Sequence, residues 1–410
     1  MIITRAPGKL YIAGEYAVVT PGQPAVLIAV DRCITVRLTE SEDSGHIHSS
    51  EYGQAPLVWH REENGETIVL EHRPADYVLS AISTVEELRA ARGAAPRYFD
   101  LDISSELDDA DGRKFGLGSS AAVTVATIAA LDEFYELHLS LTERFKLALL
   151  ATIMISPNAS GGDLAASTFG GWIRYSSPDR AALRAHREAH GVVSALHCPE
   201  WAGSSARRVT PPASLNLLVG WTGSPASTEH LVQRVHTPGA ADTAAPAPEA
   251  PKPRPLASFA AESHVLVDDL VTAFDHDDAE AALDTIRAVR ALLQRLDETS
   301  GSLIETETLR DLCEIAGAHG AAAKPSGAGG GDCGIALVRT SGTAATAADA
   351  AATGAARTAP DAATTGTATT ATTPPGTHAD VEAILAGWEA AGIRPLDLGA
   401  HREEGEIDEF

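Results

Sequence analysis

The first forty residues alternate apolar and polar positions between turn residues, as in AVLIAVDRCITVRLTE (25–40), the period-two pattern of strands and hairpins. Further short strands are predicted near 46–49, 56–60 and 67–72 and over 97–105. Residues 76–93 switch to helical spacing and end at a glycine. KFGLGSSAAV (114–123) then opens a helix from about Ser120 to Leu137, and a second helix covers about 142–155. SPNASGGDLAASTFGGWIRY (156–175) reads as a Gly/Ser-rich loop leading into a hairpin. In the second half, strands are predicted over 214–222, 333–339 and 393–399. Helices are predicted near 257–274, 277–297, 303–319 and 378–391. Two stretches do not fit a core: 236–255 is Pro/Ala-rich, and 340–377 is almost entirely Ala, Thr, Gly and Pro. Both read as insertions whose removal leaves activity intact. Strands arranged in hairpins as well as beside helices predict an α+β fold rather than a doubly wound parallel sheet. There is no internal repeat.

Length and charge narrow this picture. At 410 residues the chain exceeds one typical core, so two domains are expected, 1–204 and 205–410. The net charge of −25 argues against nucleic acid or an anionic membrane as partner, because phosphate backbones are bound by basic faces. No run of about 18 apolar residues occurs, and MIITRAPGKL lacks a signal-peptide apolar region. Cys33, Cys198, Cys313 and Cys333 form no CxxC pair and no metal spacing. A reduced, cytoplasmic protein, monomer or homodimer, is the expectation. The histidines are scattered, and none is given a catalytic part.

The lysines are informative. Only five of the 31 basic residues are lysine, and three of them flank glycine-rich turns: Lys9 in APGKLYIAGE, Lys114 in RKFGLGSSAA and Lys324 in AAKPSGAGGGDCG. A compact ammonium suits a phosphate oxygen as a point charge; the bland alternative is solvated lysines beside backbone turns. KFGLGSSAAV is not a Walker A loop. It satisfies the loose dinucleotide pattern through Gly116, Gly118 and Ala121, but the preceding strand is predicted to end near Ser105, so the strand–turn context of that fold is missing. Gly116 and Gly118 permit positive φ and close approach, Ser119 and Ser120 offer caps or hydroxyls, and free N–H groups at a helix start make an anion site. Taken alone, the turn fits a capped helix without a ligand as well as a phosphate cradle. The glycines of 327–334 tip the balance, since such density costs folding entropy.

APGKLYIAGEYAVV, RKFGLGSSAAV, GWTGSPAST (220–228) and KPSGAGGGDCGIAL (324–337), in this order, resemble the motifs of the GHMP kinase superfamily, and within it most the phosphomevalonate kinases. The resemblance implies a ribosomal protein S5-like N-terminal domain, a ferredoxin-like C-terminal domain, and Mg-ATP with a small-molecule acceptor between them. The implied reaction is ATP plus 5-phosphomevalonate to ADP plus 5-diphosphomevalonate in the mevalonate route to isoprenoids. Mevalonate kinase or another small-molecule kinase is the near alternative, and a non-catalytic sensor of the same fold the remote one. By that likeness Lys114, Gly116, Leu117, Gly118, Ser119, Ser120 and Ala121 hold the ATP phosphates. Ser119 or Ser120 contributes a hydroxyl to Mg²⁺, and Lys9 stands between γ-phosphate and acceptor. Asp163 matches the aspartate usually given the role of base; an acceptor phosphate is mostly dianionic at neutral pH, so Asp163 is expected rather to orient Lys9 or the acceptor. Acceptor contacts are expected from Lys9, Ser160, Gly161, Trp221, Thr222, Ser224, Ser326, Gly327 and Gly329, with an interdomain core position equally open for Trp221. Several members carry a metal-binding glutamate on the helix before the aspartate loop. LALLATIMISPN (147–158) has no acid, so either phosphates and a serine alone hold the metal, or another acid such as Glu15 or Asp111 reaches it.

Overall fold

The computed structural model describes residues 1–49, 55–62, 68–70, 76–109, 111–223, 256–339, 378–408 and 410. The insertions expected at 236–255 and 340–377, and Ser224, lie outside the described residues.

The chain opens with one long hairpin. β1 (Ile2–Ala13) pairs antiparallel with the 18-residue β2 (Pro24–Ser41). After β3 (Gly45–Ser49), β4 (Leu57–Arg61) and β5 (Ile68–Leu70) comes helix α1 (Tyr77–Ala91), whose start is fixed by Asp76 accepting the N–H groups of Val78 and Leu79. β6 (Tyr98–Ser105) returns to the sheet, followed by α2 (Ser119–Tyr135) and α3 (Leu141–Ile155). The capping box of Ser140 and Glu143 starts α3. Next come α4 (Gly162–Phe169), β7 (Trp172–Ser176), α5 (Arg180–Leu196) and β8 (Ser205–Arg208). β2 organises the sheet, with β1 along one edge and β6 and then β7 along the other. The order is β5-β4-β3-β6-β2-β7-β8, antiparallel except for β3 beside β6. β2 is buried on both faces at its start and alternates at its end, which is why its first half reads as a continuous apolar run.

Two elements differ from the sequence expectation. The supposed loop 156–175 contains α4, because LAASTF packs its apolar face under β1 and β2 while small residues mask the helical period. The strand after it does not close a tight hairpin, since β7 pairs with β8 only after α5 has intervened. β8 also carries the first sheet past the expected boundary at 204.

The second sheet has order β10-β11-β9-β12, all antiparallel: β9 (Leu215–Trp221), β10 (Ala322–Pro325), β11 (Cys333–Arg339) and β12 (Arg394–Leu396). Around it lie α6 (Leu256–Asp275), α7 (Ala279–Ser300), α8 (Glu307–Ala318) and α9 (His378–Ala390). Leu312, Trp388 and Ile393 centre a small core between α8, α9 and the sheet, and the larger core runs continuously through both sheets. The tail returns to the first sheet: His401 donates its N–H to Ala29 at 2.8 Å, and the Phe410 ring lies 5.4 Å from that of Phe145. Among the described residues no helix is long and apolar enough to cross a membrane.

Candidate active site

A cavity of about 470 Å³ opens where β1, the start of α2, the start of α4 and the turn after β10 converge. Its geometry begins with a fault in the long hairpin. The β1–β2 register shifts between Pro7 and Lys9, and the Lys9 N–H donates to the Leu117 carbonyl at 2.8 Å instead of to β2. Such a bulge re-aims a side chain. Here it turns Lys9 into the cavity and ties β1 to the turn before α2. Lys9 Nζ donates to the Gly116 carbonyl at 3.3 Å and lies 3.7 Å from Asp163 Oδ2.

The turn itself uses its glycines as the sequence suggests. Gly116 and Gly118 stand at φ 79° and 81°, and Gly118 is the N-cap of α2 in the left-handed region, with no side chain capping the first turn. A Cβ on Gly116 would lie 2.5 Å from Asp332 Cγ. The N–H groups of Ser119, Ser120 and Ala121 therefore begin a 17-residue helix beside the cavity wall, with Lys114 exposed next to them. That arrangement concentrates positive potential where the sequence placed a phosphate.

Opposite, Asp163 sits in the first turn of α4 and accepts from the Tyr11 hydroxyl at 3.1 Å, while that hydroxyl also meets Ser160 Oγ at 3.0 Å. Burial, and then the charge of Asp163, raise the Tyr11 phenol well above its ordinary value, so it stays a neutral donor. Gly161, at φ 84°, brings the backbone to within a Cβ's reach of the Tyr175 hydroxyl.

The turn after β10 is clamped to β1. Ser326 Oγ accepts the Tyr11 N–H and donates to the Tyr11 carbonyl, each at 3.0 Å, and the Tyr16 hydroxyl donates to the Ala328 carbonyl. Lys324 and Glu15 form an ion pair in which both side chains are almost wholly buried.

The structure thus brings Lys9, Lys114, Gly116, Leu117, Gly118, Ser119, Ser120, Ala121, Ser160, Gly161, Asp163, Ser326 and Gly327 to one cavity. Trp221 takes one of the two places open to it, and five other expected positions need correction. Trp221 is an interdomain core residue, buried edge-on against Phe115 with centroids 5.0 Å apart. Thr222 turns to the Gly331 carbonyl, and Gly329 packs against the Ile304 carbonyl, leaving no room for a Cβ; neither lines the cavity. Asp111 is exposed and paired with Arg113 at 2.6 Å, away from the site. Glu15 does line the cavity, but its charge is taken by Lys324, and Lys324 itself is too buried to meet a phosphate. Sequence reasoning also passed over Tyr11 and Asp332, both cavity residues, although each lies inside one of the glycine-rich motifs.

Comparison with known proteins fits this geometry. The GHMP kinases N terminal domain matches residues 76–171 and the GHMP kinases C terminal domain residues 270–356. The chain is 42% identical to the phosphomevalonate kinase of a Streptomyces species over 97% of its own length and 96% of the relative's. The chain belongs to the GHMP kinases. Its fold superposes on Streptococcus pneumoniae phosphomevalonate kinase in complex with phosphomevalonate and AMPPNP with a TM-score of 0.75, at 27% identity, covering 98% of this chain and 100% of that one. The mevalonate kinase of Pyrococcus abyssi is 28% identical over 57% of the chain. The kinase accordingly has the two-domain GHMP architecture that its motifs imply.

Proposed function

We propose that the kinase transfers the γ-phosphoryl group of ATP to the phosphate of 5-phosphomevalonate, yielding ADP and 5-diphosphomevalonate. The observation that carries this reading is Lys9, held between the Gly116 carbonyl and Asp163 at the mouth of α2. An ammonium there touches both the helix start, which suits the ATP phosphates, and the α4 side, which suits the acceptor. Full-length likeness to a phosphomevalonate kinase supports that acceptor over mevalonate.

In the reaction a P–O bond forms to an acceptor oxygen as the bond to ADP breaks, with little covalent work for the protein beyond positioning and charge neutralisation. First-turn amides of α2 receive the ATP phosphates, Lys114 adds charge at their rim, and Lys9 neutralises the group in flight. The acceptor lies toward Ser160, Gly161 and Gly327. Asp163 has no proton to remove from a dianionic phosphate, whose second pKa is about 6; with Tyr11 it holds Lys9 in place. The hydroxyls of Ser119 and Ser120 and the carboxylate of Asp332 are hard oxygen donors beside the helix start, a set that fits Mg²⁺. Held by these residues, Mg²⁺ would supply charge neutralisation to the ATP phosphates.

Mg-ATP with 5-phosphomevalonate is expected to release ADP at a rate that mevalonate does not support. Comparable turnover of mevalonate would keep the fold and overturn the acceptor. Gly116→Ala carries both a left-handed φ and a collision with Asp332, and such strain costs about 1–3 kcal/mol. It is expected to raise the KM for ATP at least tenfold while leaving the affinity for the acceptor unchanged. An unaltered KM for ATP would remove this turn from the nucleotide site.

A further inference from the structure

Away from the cavity, a break in α5 gathers a second set of reactive side chains. Gly191 stands inside that helix at φ 78°, ψ 175°, so the chain turns back on itself. Ser194 Oγ thereby comes 2.8 Å from His186 Nε2, whereas eight residues of straight helix span about 12 Å. The chain then delivers Cys198 and Glu200 to the same place. His186, Cys198 and Glu200 each offer one donor atom, all within 4.8 Å of one another. His186 Nδ1 lies 3.2 Å from Glu200 Oε1, the Cys198 thiol is buried, and Glu200 Oε2 is buried without a hydrogen-bond partner. None of the three lines the cavity.

We propose that His186, Cys198 and Glu200 form a Zn²⁺ site that fastens the broken end of α5 to the turn at Pro199–Trp201. Tetrahedral zinc, with bonds of about 2.0–2.3 Å, sets its ligands about 3.3–3.8 Å apart, so the more widely spaced donors must draw together as the ion binds. Imidazole and thiolate select a borderline-soft ion and disfavour Mg²⁺. Ser194 has the outer position usual beside a metal-bound histidine: in the tautomer whose Nε2–H donates to Ser194 Oγ, the Nδ1 lone pair faces the other two donors. Zinc binding displaces the thiol proton of Cys198 to solvent and gives the orphaned Glu200 oxygen a partner. A water would complete the coordination, and His190 packs against His186 with ring centroids 4.8 Å apart.

The test uses the full-length kinase stripped with a chelator and titrated with Co²⁺ and then Zn²⁺. One equivalent of cobalt with a thiolate charge-transfer band, displaced by zinc, is the expected result. Cys198→Ser should abolish the band. His186→Gln, which leaves the thiol in place, should weaken binding strongly. Ser194→Ala should weaken it by about 10–100-fold. ADP release at saturating Mg-ATP should be the same with and without zinc, since the cluster lies outside the cavity. Absence of stoichiometric uptake would mean that His186 and Glu200 merely share a hydrogen bond. Binding that survives both ligand substitutions would place the metal elsewhere. Either outcome overturns the proposal.

Discussion

Lys9→Met is expected to lower kcat about 10³-fold or more with little change in thermal stability, the scale seen when a preorganised charge at a transferring phosphoryl group is removed. Lys9 is almost wholly buried, and its ammonium reaches two sides of the site at once, the Gly116 carbonyl and Asp163. Two polyanions must meet in a chain of net charge −25, so each cation inside the cavity has a large share of the work. Lys114 lies at the exposed rim, where solvent screens it. Lys114→Ala should therefore act mainly on the KM for ATP, and Lys9→Met on kcat. Asp163→Asn separates positioning from proton transfer. The amide keeps an acceptor for the Tyr11 hydroxyl but loses the charge facing Lys9, so its loss should be smaller than that of Lys9→Met. A kcat that falls further for Asp163→Asn than for Lys9→Met would make Asp163 a base and reverse the order of importance of the two residues. Steady-state kinetics with both substrates varied distinguishes the cases.

What was legible in the sequence was local. Helices α1, α2, α3, α7 and α8 and strands β6, β9 and β11 lie close to where the sequence pattern placed them, because each is a continuous stretch between turn residues; α1, α7 and α8 bury one face, whereas α2 and α3 are apolar and buried nearly all round. The left-handed glycines at 116 and 118 were legible for the same reason, since a turn's conformational demand is written in its own residues. Contacts between distant segments were not. A lysine beside glycines looked like a phosphate ligand at 324, but its partner is Glu15, 309 residues earlier. Trp221 fitted an acceptor contact and a core position equally well, and only the packing of Phe115 against it decides for the core. Tyr11 was passed over in the sequence, yet its hydroxyl holds Asp163 and its backbone holds Ser326. α4 was hidden because a helix of small residues has little apolar contrast to show.

Lys324→Met is the substitution expected to damage the fold most. Lys324 is fully buried on β10, and Glu15, just past the end of β1, is almost as buried in the cavity wall, so their pair joins the two sheets with little access for water. Glu15 already has one oxygen, Oε2, without a partner, so removing the ammonium leaves the whole carboxylate unpaired in the core. Breaking such a pair costs about 3–5 kcal/mol, whereas replacing both members by neutral groups of similar shape is often close to neutral. The double variant Lys324→Met with Glu15→Leu should accordingly recover most of the stability lost by the single change, as read from urea unfolding. Recovery of folding without full recovery of kcat would follow from the position of Glu15 on the cavity wall, beside the turn that Ser326 and Ala328 clamp to β1. A double variant as unstable as the single one would mean that Lys324 stabilises through its packed stem rather than its charge.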